Sequence, residues 1–242
     1  MREFQIRLFY MTKKDFETFM YIGTEKILIC VFSKIDSKIL YKNESKFLEL
    51  DNHIDENKII HFLNENIFKV EKQLNQFINN ISLILNSNQF QSIDISIKQN
   101  IYGEVKKKNQ LNLLKDLKNY ILDSYTDYIL VHYVVNHYLF DNNIYKNFDL
   151  SKKCNHFCLD TTFILLNKNE FLFYQKIFKN FQISVKKIMS GKYIFGFFDS
   201  YEFNECEMGR KISSGFNPNE VFLIEKIVEK KGFFERFFYL FS

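Results

Sequence analysis

One run constrains this chain more than any other: Leu130-Val131-His132-Tyr133-Val134-Val135-Asn136-His137-Tyr138-Leu139-Phe140-Asp141. Its β-branched and aromatic residues favour a pleated, half-buried strand. A second strand is expected over residues 157–166, where Thr161-Thr162-Phe163-Ile164 repeat the same preference. A helix is expected over residues 170–181, because Phe171, Tyr174, Ile177, Phe178 and Phe181 fall at three- and four-residue steps on one side. A closing strand over 183–188 completes a β-β-α-β unit, which is too small to stand alone in 242 residues. It must dock on something else.

Composition sets the outer limits. At 46% hydrophobic and 18% aromatic, the chain can bury a substantial core in one or two domains. Alanine and tryptophan are absent, with 7 Gly, 1 Pro and 29 Phe, a usage that fits AT-rich codons and erodes glycine-based motifs. The net charge of +4, spread over 33 basic and 29 acidic residues, gives no nucleic-acid footprint and suits a weakly anionic membrane surface equally. No signal-peptide pattern and no run of the ~18 to 20 apolar residues of a spanning helix occurs, so a cytoplasmic protein is expected. Cys30, Cys154, Cys158 and Cys206 are few and irregularly spaced, as reduced thiols would be.

In chain order, residues 19–34 read as a hairpin turning at Ile22-Gly23-Thr24, and residues 39–50 as an irregular strand region. A long helix is expected over 54–84, with Ile59, Leu63, Ile67, Val70, Leu74 and Ile78 on its apolar side, and a strand over 92–97. Lys106-Lys107-Lys108 reads as a charged, solvated connection before a helix over 110–122. Cys154, His156 and Cys158 alternate and would share one strand face. Zinc-ligand pairs are spaced to turn around an ion instead, so no metal site is expected. No glycine-framed nucleophile turn accompanies any Ser or Cys, and no catalytic residue is expected. Asn217-Pro218-Asn219-Glu220 has the form of a helix start. Beyond it Phe233, Phe234, Phe237, Phe238 and Phe241 form one helical face, with Lys230 and Lys231 at its entry. Periodicity alone lets that face meet either lipid or the protein's own core.

The spacing of His132, Tyr138 and Asp141, followed by strand, helix and strand, resembles the inserted subdomain of FtsA, the actin-like bacterial division protein. There the run reads roughly LHVLPQEYxxD. Val135 replaces the family's proline and His137 its glutamate. The turn Ile22-Gly23-Thr24 resembles the family's phosphate turn Asp-Ile-Gly-Thr, with Tyr21 at the acidic position, so it is a vestigial phosphate turn at most. No Gly-rich second phosphate loop follows residue 188.

The resemblance implies an α/β (α+β) fold: a partial actin-like, ribonuclease H-like subdomain over 1–98 and an inserted β/α interaction subdomain over 99–185. A return strand over 186–198, a linker over 199–216 and an amphipathic membrane-targeting helix over 217–242 would come after it. It implies a non-enzymatic, cofactor-free scaffold of the divisome, peripheral on the inner face of the cytoplasmic membrane. Its membrane residues would be Lys230, Lys231, Phe233, Phe234, Phe237, Phe238 and Phe241, and its protein contacts His132, Tyr138 and Asp141. Partners would be further copies or the cytosolic tails of membrane division proteins. The family's FtsZ-binding surface lies in the half with no counterpart here. The alternatives are a pilus-assembly scaffold of the actin-like group and a nucleic-acid-binding module that stacks bases on Tyr and Phe beside Lys106–Lys108.

Overall fold

The computed structural model describes residues 15–47, 55–148, 152–198 and 202–221. Two sheets organise them. In the first, β1 (Phe16–Ile22) and β2 (Lys26–Ser33) form a hairpin that pairs Ile22 with Ile27. β3 (Ile39–Lys46) continues the meander antiparallel to β2. The chain then crosses through α1 (Glu56–Leu74) to β4 (Asn80–Leu85), which lies parallel to β1.

β9 (Ser184–Ser190) adds parallel to β4 much later in the chain and completes the order β3-β2-β1-β4-β9. An antiparallel meander followed by parallel strands in this order is the arrangement of an actin-like, ribonuclease H-like subdomain. β1 and β2 are buried on both faces, which explains their near-continuous apolar runs. Met20, Ile22, Ile27 and Ile29 meet α1 and α3 (Lys168–Lys179) on one side. Phe19, Tyr21, Leu28 and Cys30 meet α4 (Gly191–Phe195) and α5 (Glu205–Ser213) on the other.

Between β4 and α3 the chain builds the second sheet, order β5-β8-β6-β7, antiparallel throughout. Its strands are β5 (Phe90–Glu104), β6 (Tyr128–Phe140), β7 (Asn143–Tyr145) and β8 (Lys153–Asn167). α2 (Lys107–Ser124) covers one face with Leu113, Leu114, Leu117 and Ile121 against Tyr133, Phe157 and Phe163. The insertion therefore begins at β5 and ends at β8, earlier at both ends than the expected 99–185, because β5 never joins the first sheet and α3 packs on it.

Several sequence expectations are corrected. α1 stops at Leu74, where Asn75 takes the left-handed conformation (φ 54°) and its amide reaches back to the Glu71 carbonyl. Short polar side chains tolerate that conformation at a helix end. The chain continues as strand β4 instead of further helix. Lys107 and Lys108 form the first turn of α2. The expected linker over 199–216 instead holds α5, which buries Cys206, Met208 and Ile212 in the core. Asn217 does not start a helix. Its side chain accepts from the Asn219 amide (3.0 Å), and Glu220 bridges to Val134. Lys230, Lys231, Phe233, Phe234, Phe237, Phe238 and Phe241 lie outside the described residues. Among the described residues, no helix is long and apolar enough to cross a membrane.

Candidate functional site

In an open sheet of this type, ligands meet the carboxyl ends of the parallel strands. Here those ends are Ile22, Leu85 and Ser190, brought side by side as the Asn86 amide donates to the Ile22 carbonyl (3.0 Å). The turn Ile22-Gly23-Thr24 sits at this corner. Tyr21 fills it: its ring packs on Phe195 at 6.0 Å, and a Cβ placed on Gly23 would collide with the Tyr21 hydroxyl. Burial pushes the Tyr21 phenol up to about 12, with the Asn86 side chain holding it back only in part. A neutral, buried phenol thus stands where the acidic residue of a phosphate turn would stand. Lys26 Nζ pairs with Glu44 at 3.3 Å and with Glu205 Oε1 at 2.8 Å, while Glu205 Oε2 is buried without a hydrogen-bond partner among the described residues. The acidic groups near this corner, Glu25, Glu44 and Glu205, stand at other positions than the one Tyr21 holds.

At the junction of the two sheets, His132 is 1% exposed and enclosed by groups from three segments. The Ser190 amide donates to Nε2 (3.0 Å), so that nitrogen carries the lone pair and the proton sits on Nδ1, which donates to Glu220 Oε1 (2.8 Å). Tyr193 packs against the imidazole at a tilt, ring centroids 4.2 Å apart, and donates to Glu220 Oε2 (3.2 Å), and Asn217 donates to the Tyr193 hydroxyl (2.8 Å). Burial lowers the His132 pKa, with Glu220 opposing, and burial also lowers that of Lys187, which faces Glu220. Every polar atom of the ring is satisfied, so the cluster is a staple that fixes β6 to β9, α4 and the segment around Glu220.

The residues expected to make protein contacts therefore play other parts. His132 and Tyr138 are both buried and offer no surface; Tyr138 accepts from Gln110 of α2 (3.1 Å). Asp141 is exposed at the β6–β7 turn with φ 54°, and its carboxylate accepts from the amides of Asn155 (3.0 Å) and His156 (2.9 Å). The three are brought together only as members of one strand and its turn. Cys154, His156 and Cys158 do not share a face: a register shift in the β5–β8 pairing turns Cys154 into the core while His156 and Cys158 face outward. Among the described residues, no cluster of His, Cys, Asp and Glu has the form of a metal site.

Sequence reasoning missed a groove. It has a volume of about 650 Å³ and lies between α2 and β6, lined by Leu122, Ile129, Leu130 and Val131, with Lys118 and Lys168 at its rim. β6 pairs with β8 along one side, while on the other β7 covers only Tyr138 to Phe140. Asn219 and Val221 cover Tyr133 and Val135: the Val135 amide donates to the Asn219 carbonyl (2.9 Å) and the Val221 amide to the Tyr133 carbonyl (2.7 Å). Among the described residues, nothing pairs with the outer edge of β6 from Tyr128 to His132. An unpaired edge over an apolar floor can accept an extended peptide as an added strand.

No family model matches the chain, and no curated protein matches it. Among solved structures it is similar to the cytoplasmic domain of EpsL, an inner membrane component of the type II secretion system of Vibrio cholerae. That match has 8% identity and a TM-score of 0.39 over 74% of this chain and 59% of that one. It is also similar to the PilM-PilN type IV pilus biogenesis complex, at 7% identity and a TM-score of 0.47 over 75% and 49%. A third is a Bacteroides thetaiotaomicron protein with an actin-like ATPase fold and unknown function, at 13% and 0.33 over 76% and 56%. The chain spans less than two thirds of each of these proteins. With TM-scores below 0.5, these likenesses add nothing to what the strand order establishes.

Proposed function

We propose that this protein is a non-enzymatic adaptor of actin-like fold that works at the inner face of the membrane and holds an extended segment of a partner protein along β6. The β6 edge that stays unpaired among the described residues, above an apolar groove, carries this reading. Main-chain pairing would supply affinity, the groove would take alternate apolar side chains, and the lysines at the rim would favour an acidic peptide. The phenol of Tyr21 in the phosphate corner supports a role without nucleotide hydrolysis. Attachment to the membrane rests on the aromatic face and the lysines of residues 230–241 in the sequence. By its resemblance to FtsA, the partner is the cytosolic tail of a membrane division protein.

The test is fluorescence anisotropy with labelled cytosolic tails of membrane division proteins, beside tails of pilus and secretion membrane proteins as controls. A division tail should bind. Leu122→Glu should weaken it about tenfold, the loss expected when one leucine-sized apolar contact is removed. If only a pilus or secretion tail binds, the division assignment falls and the adaptor reading stands. If no tail binds, or Leu122→Glu changes nothing, the groove is not the contact.

A further inference from the structure

The opposite edge of the same sheet is also unpaired among the described residues. β5 runs for 15 residues and, among the described residues, pairs only with β8. Long, flat edge strands are normally shortened, bulged, or broken by proline, because they template pairing with another chain. β5 is paired in regular register from Phe90 to Asn100 and holds no proline. The Thr161 hydroxyl donates to the Ile95 carbonyl (2.9 Å), which turns the main-chain groups of the odd-numbered residues toward β8. Alternation then leaves the amides and carbonyls of Asp94, Ser96 and Lys98 on the outer edge.

We infer that β5 is the seam of a symmetric dimer, in which two copies of this chain join their second sheets antiparallel about a two-fold axis at Ser96. Charge selects that register. Side chains that share a face must be paired an even number of residues apart, so the axis falls on a residue. Placed on Asp94 or on Lys98 it would set like charges directly opposite each other, which is destabilising. Placed on Ser96 it sets Asp94 of each copy opposite Lys98 of the other, twice, with Ser92 opposite Asn100. On the helix-facing side the same register sets Ile95 opposite Ile97, so the apolar row that flanks the α2 core continues across the seam. Asp94, Ser96 and Lys98 are all exposed in the single chain, Asp94 Oδ1 accepting from the Thr162 hydroxyl and the Ser96 hydroxyl donating to Asp160 (3.0 Å), while Lys98 has no ion pair among the described residues. The seam lies across the sheet from the groove and does not depend on it.

Sedimentation velocity of the full chain, over a range of protein concentrations and without lipid, tests this. Wild type should shift from monomer to dimer with rising concentration. Asp94→Lys and Lys98→Asp should each weaken association roughly tenfold, since each turns two attractive cross-strand pairs into repulsive ones. The double variant Asp94→Lys/Lys98→Asp restores opposite charges in the same register and should recover the wild-type dimer. Circular dichroism would show that all four chains keep their fold. A wild type that stays monomeric overturns the inference, as do single variants that associate like wild type, or a folded double variant that fails to recover.

Discussion

His132 shows how one side chain can be essential without being a contact. Its Nε2 accepts from the Ser190 amide, so protonating the ring would set two donors against each other, with Lys187 adding a second positive charge nearby. The folded-state pKa is lowered from 6.5, chiefly by burial. Between that lowered value and 6.5 the unfolded chain binds more protons than the folded one, so stability rises with pH through this window. The stability contributed by a neutral His132 is therefore complete above 6.5 and is lost as the pH falls below it. Urea midpoints at pH 7.5 and at pH 5.5 should show this fall, and His132→Gln should flatten it. His132→Ala removes one of the hydrogen-bond donors of the buried Glu220 carboxylate and should cost about 3 kcal/mol in the same measurement. The spacing of His132, Tyr138 and Asp141 was legible in the sequence, but their orientation was not. Between the register shifts at Leu130/His132 and Val135/His137 the alternation holds, and four consecutive residues are buried because both faces are covered: Tyr133 and Val135 join the α2 core while His132 meets Ser190 and Tyr193.

Among the elements, those with strong local signals were read well and those settled by tertiary contacts were not. The hairpin, α3 and the strands β6, β8 and β9 lie where periodicity places them. α5 was overlooked although Asn204 and Glu207 form a capping box, with Asn204 Oδ1 accepting from the Glu207 amide (3.1 Å) and the Glu207 carboxylate accepting from the Asn204 amide (3.0 Å). The start pattern at Asn217 failed for the opposite reason: Glu220 is taken up by His132 and Tyr193, and the Val221 amide by Tyr133. α5 also approaches the sheet closely at Gly209, where a Cβ would lie 2.6 Å from Ile84 Cδ1. Gly209→Ala should raise the intrinsic helix preference by up to ~1 kcal/mol. It should nevertheless destabilise the protein by about 1 kcal/mol net, because overpacking outweighs propensity. Thermal melts would show this, and Ile84→Val should relieve part of the loss.

At the scale of the whole molecule, the insertion governs how the parts communicate. The groove and the β5 edge lie on opposite sides of one sheet, and the His132 cluster fixes that sheet to the first. The mixed α/β character and the hairpin-first layout were readable from the sequence. The extent of the insertion was not, because β5 has the composition of a strand in either sheet and only pairing with β8 assigns it. The first sheet keeps its actin-like order while its phosphate corner is occupied by Tyr21. Isothermal titration with ATP and Mg²⁺ should therefore show no heat of binding.

The pairing of Phe90 with Leu166 closes the neck of the insertion. Its kinetic consequence is an order of events. β4 and β9 are neighbours in space but are separated in sequence by the entire insertion, and closing so long a loop from an open coil is entropically costly. Once β5 and β8 are zipped to that neck, the loop left to close contains little more than α3, which lowers the closure cost by about 1 kcal/mol. The second sheet should thus gain its native contacts before β9 docks. In pulsed hydrogen exchange during refolding, amides of β5 and β8 should be protected ahead of those of β9, and simultaneous protection would mean that the two sheets form as one cooperative unit.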